Sequence, residues 1–95
     1  MEKKIFIING HNINSLEDFH DEVQNVLCPK FKKYGRNWNA FNDILRGGFL
    51  SFELDEKITI IFKYKRYVEK RLGEGFLNQF TKTVAHNDNV ELKFE

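Results

Sequence analysis

From Lys3 to Ile8 the chain is apolar and β-branched in a nearly unbroken run, which Asn9-Gly10 closes. That pattern predicts a strand and a turn, and the lack of polar alternation suits a strand covered on both faces. Leu16, Phe19, Val23, Val26 and Leu27 then recur at helical spacing behind Ser15, whose hydroxyl suits a first-turn cap. Glu17, Asp18, Asp21 and Glu22 read as the outward, solvated face of that helix, and Pro29 follows its end. A second, shorter helix is bounded sharply by Asn37, a good N-cap, and by Gly47-Gly48, which supply the left-handed backbone that ends helices. Trp38, Phe41 and Leu45 fall at i, i+3 and i+7 and face inward. Asn39, Asn42, Asp43 and Arg46 also share a face and point out together, so this helix presents a polar surface.

Phe49 to Leu54 reads as a short strand or an extended loop, Glu53, Asp55 and Glu56 mark a turn, and Lys57 to Phe62 forms a second buried-type strand. Tyr64, Tyr67, Val68 and Leu72 give the inner face of a further helix. Gly73 and Gly75 separate it from a last one carrying Phe76, Leu77, Phe80 and Val84. Asn87-Asp88-Asn89 is a turn, and Val90, Leu92 and Phe94 alternate with Glu91, Lys93 and Glu95 as a terminal strand with one wetter face. Strands separated by helical crossovers predict an α/β fold with a largely parallel sheet. No repeat or linker interrupts the pattern, so residues 1–95 are expected to form one domain.

Composition narrows the function classes. With 95 residues, ten Phe and 41% hydrophobic content, one core is within reach. A formal charge of +1 with 31% charged residues gives a well-solvated surface without the global positive field of a bulk nucleic-acid binder. No stretch approaches the ~18 apolar residues of a membrane span, and the N-terminus lacks a cleavable apolar leader, so a cytoplasmic protein with no membrane partner is expected. The single cysteine, Cys28, lies at a helix end and reads as a small buried apolar residue.

Catalytic groups are not brought together. His11, His20 and His86 are scattered without metal-ligand spacing, and His20, beside Phe19 and Val23, reads as a boundary side chain. A thiol at a helix C-terminus sits at the wrong end of the dipole for activation. The acids at 53–56 are accounted for by turn solvation, and neither glycine pair makes a phosphate-cradling motif. No enzyme, cofactor or metal site is expected. An alternative reading is a small nucleic-acid-binding module with two basic patches. One lies at 30–36 (Lys30, Lys32, Lys33, Arg36); the other lies at 63–71, where Lys63-Tyr64-Lys65-Arg66-Tyr67 interleaves cations with aromatics. Against it stand the near-neutral total charge and the inward spacing of Tyr64 and Tyr67.

Ile8-Asn9-Gly10, the spacing through Ser15-Leu16 and Phe19-His20 to Pro29, and above all Tyr34-Gly35-Arg36-Asn37-Trp38-Asn39-Ala40 running on to Asp43 and Leu45 carry a resemblance. In these residues and in its element order the chain resembles the barstar family of ribonuclease inhibitors. The resemblance implies a three-layer barstar-like fold, with a three-stranded parallel sheet packed with three to four helices. It also implies an intracellular inhibitor or immunity protein, monomeric when free, that occludes the active site of a ribonuclease or nuclease toxin through the loop and helix at 33–48. Tyr34, Gly35 and Asn37 then match the family's loop and helix start, and Asp43 matches the acid that enters the enzyme's phosphate site.

Other positions depart from the family's well-known member. Lys33 stands where it has a tyrosine, Asn39 where it has a second acid, Asn42 and Gly48 where it has tryptophans, and Lys82 where it has a glutamate. With Arg36 and Arg46, these positions complete the expected protein-binding set. Losing acids and gaining a lysine weakens attraction toward a cationic active site, so the expected target has a different, partly acidic rim that can pair with Arg36, Arg46 or Lys82.

Overall fold

The computed structural model describes residues 4–28, 34–47 and 53–95. Pro29, the basic residues Lys30, Lys32 and Lys33, the residue Gly48, and the extended segment expected from Phe49 onward, as far as residue 52, lie outside the described residues. The elements run in the order β1 (Lys4–Asn9), a 3-10 turn (Gly10–Asn12), α1 (Leu16–Leu27), α2 (Trp38–Arg46), β2 (Ile58–Lys63), α3 (Lys65–Leu72), α4 (Glu74–Ala85) and β3 (Val90–Phe94). The three strands form one parallel sheet with β2 in the centre. This is the α/β architecture that the alternation of strand and helix patterns predicts.

Register decides which residues share a face. Phe6 pairs with Ile60 and that with Leu92, and Ile8 pairs with Phe62 and that with Phe94, so even-numbered strand positions line one side. That side meets the buried stripes of the helices. Ile8, Ile58, Ile60 and Phe62 join Phe19, Val23 and Leu27 of α1, Phe41, Ile44 and Leu45 of α2, Val68 of α3, and Phe76, Phe80 and Val84 of α4 in one core. Burying each such side chain stabilises the fold by roughly 1.5–3 kcal/mol before conformational entropy is counted.

The other side is exposed along the two outer strands, although Thr59 in the central strand is buried. Ile5 is 60% and Ile7 45% exposed, and Glu91 and Lys93 are exposed beside them. The expectation that β1 is covered on both faces is therefore corrected: β1 is an edge strand, and the described helices pack only over its Phe6/Ile8 side. The α/β class and the three-stranded parallel sheet packed with helices, four among the described residues, stand as the resemblance implied.

Helix α1 shows where periodicity misleads. Ser15 caps it as expected, its Oγ accepting from the Asp18 N–H at 3.1 Å. Leu16 is 45% exposed although its spacing fits the inner stripe, because it occupies the first position of the helix. Glu22, assigned to the solvated face, is buried. It lies three residues past Phe19, on the inner side, where Oε2 accepts from the Asn9 N–H at 2.9 Å and Oε1 from Asn12 Nδ2 at 3.2 Å. The carboxylate thus satisfies a backbone donor at the C-terminal end of β1 that no sheet partner takes.

Glu22→Ala is expected to lower stability by about 1–3 kcal/mol by stranding that donor, with Glu22→Gln clearly milder because its amide oxygen still accepts one bond; urea unfolding of the two variants measures the difference.

Candidate functional site

The outward face of α2 is held in place by what lies before, beneath and after it. Before it, Tyr34 turns inward and is buried, 5% exposed. Its N–H donates to Gln24 Oε1 at 3.2 Å, and its hydroxyl donates to the Asn37 carbonyl at 3.4 Å and lies 2.7 Å from His20 Nδ1. A neutral His20 protonated on Nδ1 lets both hydroxyl bonds form at once. Gly35 allows the loop to pass close to the helix, since a Cβ there would approach the Ala40 Cβ to 2.9 Å. Arg36 adopts left-handed backbone at φ 58°, a conformation that costs a side-chain-bearing residue about 1 kcal/mol or more. Its guanidinium offsets this by pairing with Asp21 Oδ1 at 2.8 Å and donating to the Glu17 carbonyl at 3.2 Å, which fastens the loop to α1.

Asn37 caps α2 as the sequence predicts. Its Oδ1 accepts from the Ala40 N–H at 2.7 Å while Nδ2 donates to the Gly35 carbonyl at 3.3 Å. Beneath the helix, Phe41, Ile44 and Leu45 are buried and Trp38 is half-buried. Phe19 of α1 touches both aromatic rings, 5.4 Å from Trp38 and 5.4 Å edge-on to Phe41, and Phe41 stacks on Phe80 of α4 at 5.7 Å. At the far end Gly47, with φ 90°, closes the helix by donating to the Ile44 carbonyl at 2.9 Å.

The turn before β3 completes the frame, a role that no local pattern signals. Asn87 Nδ2 donates to Asn42 Oδ1 at 2.8 Å and to the Thr83 carbonyl at 3.1 Å. Asn89 Nδ2 donates to the Leu45 carbonyl at 2.8 Å and the Glu56 carbonyl at 3.0 Å. Asparagine is expected in a turn on backbone grounds alone, so composition does not reveal that these two side chains reach across to α2.

The expected contact residues therefore separate. Asn39, Asp43 and Arg46 are exposed on α2, and Asp43 forms no ion pair with a described residue. Asn42 is half-buried and engaged with Asn87; Tyr34, Arg36 and Asn37 spend their side chains on fixing the loop. Lys82 is exposed on α4, on the same helical face as Gln79, Thr83 and His86. Between α2 and α4 lies a shallow cleft of about 190 Å³ lined by Trp38, Asn39, Asn42, Gln79, Thr83 and His86. A larger one of about 630 Å³ follows around Arg46, Leu54, Asp55, Lys57 and the 86–89 turn. His86 borders both clefts, although nothing in its sequence context marks it. No cluster of metal-ligating side chains is found among the described residues, and Cys28 is buried, which pushes its thiol pKa up.

Burial, and secondly the charge of Arg36, hold the His20 pKa below its ordinary value, with Asp21 opposing. Burial likewise raises the Tyr34 phenol well above the usual tyrosine range. A histidine pKa depressed by folding means that the unfolded chain binds the proton more readily, so the folded state loses stability as pH falls through and below about 6.5. Chemical denaturation at pH 7.5 and pH 5 is expected to show a lower midpoint at the acid pH, and His20→Gln to flatten that part of the dependence.

The profile of the family described as Barstar (barnase inhibitor) matches residues 3–90, nearly the whole chain. No curated protein matches the sequence. No helix among the described residues is long and apolar enough to cross a membrane. With the family's profile spanning both the scaffold and the outward face of α2, this chain belongs to the Barstar family.

Proposed function

We propose that this protein inhibits a ribonuclease by placing α2 and the loop before it, residues 33–48, over the enzyme's active site. One observation carries the reading: in a chain of the barnase-inhibitor family, α2 is fixed from both ends and from below, and Asp43 stands on its open face with no ion pair to a described residue. An RNase active site is cationic because it binds phosphates. A carboxylate on a rigid helix is drawn toward it at long range and, once desolvated there, accepts charge-assisted hydrogen bonds. Rigidity matters because little ordering entropy is lost on docking. Asn39, Asn42 and Arg46 share its face of α2 and Lys82 is exposed on α4, a set of neutral and positive groups that fits an enzyme whose active-site rim carries acids. In this reading the protein works in the cytoplasm as the immunity partner of a nuclease toxin and is monomeric when free.

Two measurements bear on it. Asp43→Ala is expected to leave the urea midpoint unchanged within about 0.5 kcal/mol, since the side chain is exposed, while weakening inhibition of the cognate ribonuclease at least tenfold. Unchanged inhibition removes Asp43 as the anchor. Against barnase itself, the purified protein is expected to show no nanomolar inhibition, because the face that meets the enzyme has exchanged acids for Asn39 and Lys82. Tight inhibition of barnase would overturn the assignment of a different target.

A further inference from the structure

We infer that the ends of the three strands and helix α3 form a second binding surface, for single-stranded nucleic acid, distinct from the α2 face. Residues 63–71 hold five cations, Lys63, Lys65, Arg66, Lys70 and Arg71, against one acid, Glu69. The whole chain is only +1, so the remainder is net negative and this element carries a local excess of positive charge. None of the five forms an ion pair with a described residue. Surface lysines and arginines alone would be an ordinary solvated face. What sets this face apart is an exposed aromatic platform built into it.

Tyr64, expected to point inward, is instead 45% exposed, because α3 begins one residue later and Tyr64 sits in left-handed backbone at φ 60°, ψ 44°. No side-chain cap bond rewards that conformation. The ring lies flat on exposed His11, with centroids 3.5 Å apart and planes at 12°, and Tyr67 meets the same imidazole edge-on at 5.0 Å. Gly10 makes the approach feasible, since a Cβ there would collide with the Lys63 carbonyl and come within 2.8 Å of Val68 Cγ2. A cleft of about 350 Å³ opens beside the platform, walled by Tyr64, Tyr67 and Phe94 and flanked by Lys65 and Arg66, with Glu95 also on its lining.

Flat, exposed rings accept bases of any sequence, and adjacent cations follow the phosphates. The location agrees: ligands of open parallel sheets bind outside the carboxyl ends of the strands, where His11, Tyr64 and Glu95 follow β1, β2 and β3. Lys65 lies over the Phe94 ring at 4.6 Å and Arg71 over Tyr67 at 4.8 Å, which leaves Lys63, Arg66 and Lys70 as the cations with no ring beneath them. The Arg46 and Lys57 cleft beside α2 lies at the other end of β2, about 20 Å away at ~3.3 Å per residue. Both surfaces can therefore be tested separately.

Fluorescence anisotropy of a labelled single-stranded 12-nucleotide RNA with the full chain tests this. Neutralising four phosphates predicts roughly a fiftyfold loss of affinity between 50 and 200 mM salt. Arg66→Glu with Lys70→Glu should abolish binding, and Tyr64→Asn, which removes the ring yet tolerates left-handed backbone, should weaken it about tenfold. All three substitutions should leave ribonuclease inhibition and thermal unfolding as in the parent protein. Absence of binding at 50 mM salt, binding indifferent to these substitutions, or equal affinity for a duplex of the same length would overturn the proposal. None of these outcomes bears on the inhibitory role of Asp43.

Discussion

Phe19 is the contact on which the arrangement of the helices turns. Its ring, fully buried on α1, lies within about 6 Å of Trp38 and Phe41 on α2 and of Phe76 and Phe80 on α4, with three of these four contacts edge-on. Helix α2 takes its position chiefly from rings on α1 and α4 rather than from the sheet. A helix of nine residues is too short to persist alone in water, so its geometry is inherited wholly from this cluster and from its terminal hydrogen bonds. The sheet in turn sets the cluster, because Phe62 of β2 meets Phe80 at 4.9 Å. Strand register, ring packing and the orientation of the outward face of α2 are thus one chain of constraint.

Around that hub, polar side chains do work usually left to the backbone. Glu22 holds the end of β1, Tyr34 and His20 close the loop over α1, Asn37 begins α2, and Asn87 and Asn89 hold its far half. Each reaches a partner within this frame, Glu22 through both carboxylate oxygens and Asn87 and Asn89 each through two bonds from the side-chain amide. No buried side-chain polar atom among the described residues lacks a partner. The consequence is a rigid frame around a small exposed patch.

Much of the fold was legible because apolar spacing reports burial directly. The strand and helix patterns at Lys4–Asn9, Trp38–Arg46, Ile58–Lys63 and Val90–Phe94 appear where periodicity places them, and so do the caps Ser15 and Asn37. Misreadings came where a residue's chemistry and its position disagree. Glu22 looks like a solvated acid and is buried, because its value lies in a backbone donor far away in sequence. Leu16 and Tyr64 look like core and are exposed, because each sits where a helix is only starting. Ile5 and Ile7 look like a doubly covered strand, yet nothing in a run of isoleucines tells which side of the sheet the crossovers will cover. At the site, the direction of Asn39, Asp43 and Arg46 was legible from helical period, whereas the roles of His86, Asn87 and Asn89 depend on tertiary proximity that no local pattern encodes.

The bond from Asn87 to Asn42 carries a further implication for how such a surface can change over evolutionary time. The side chains of Asn39, Asp43 and Arg46 make no hydrogen bond or ion pair with a described residue, so they can be exchanged freely as a partner drifts, each exchange altering recognition alone. Asn42 cannot be exchanged so freely. It is the one outward position on α2 wired to the turn before β3, so a new residue there alters both what the helix displays and how firmly it is held. Retargeting this scaffold, by nature or in a library, would move easily through the three free positions. It would change Asn42 only together with Asn87.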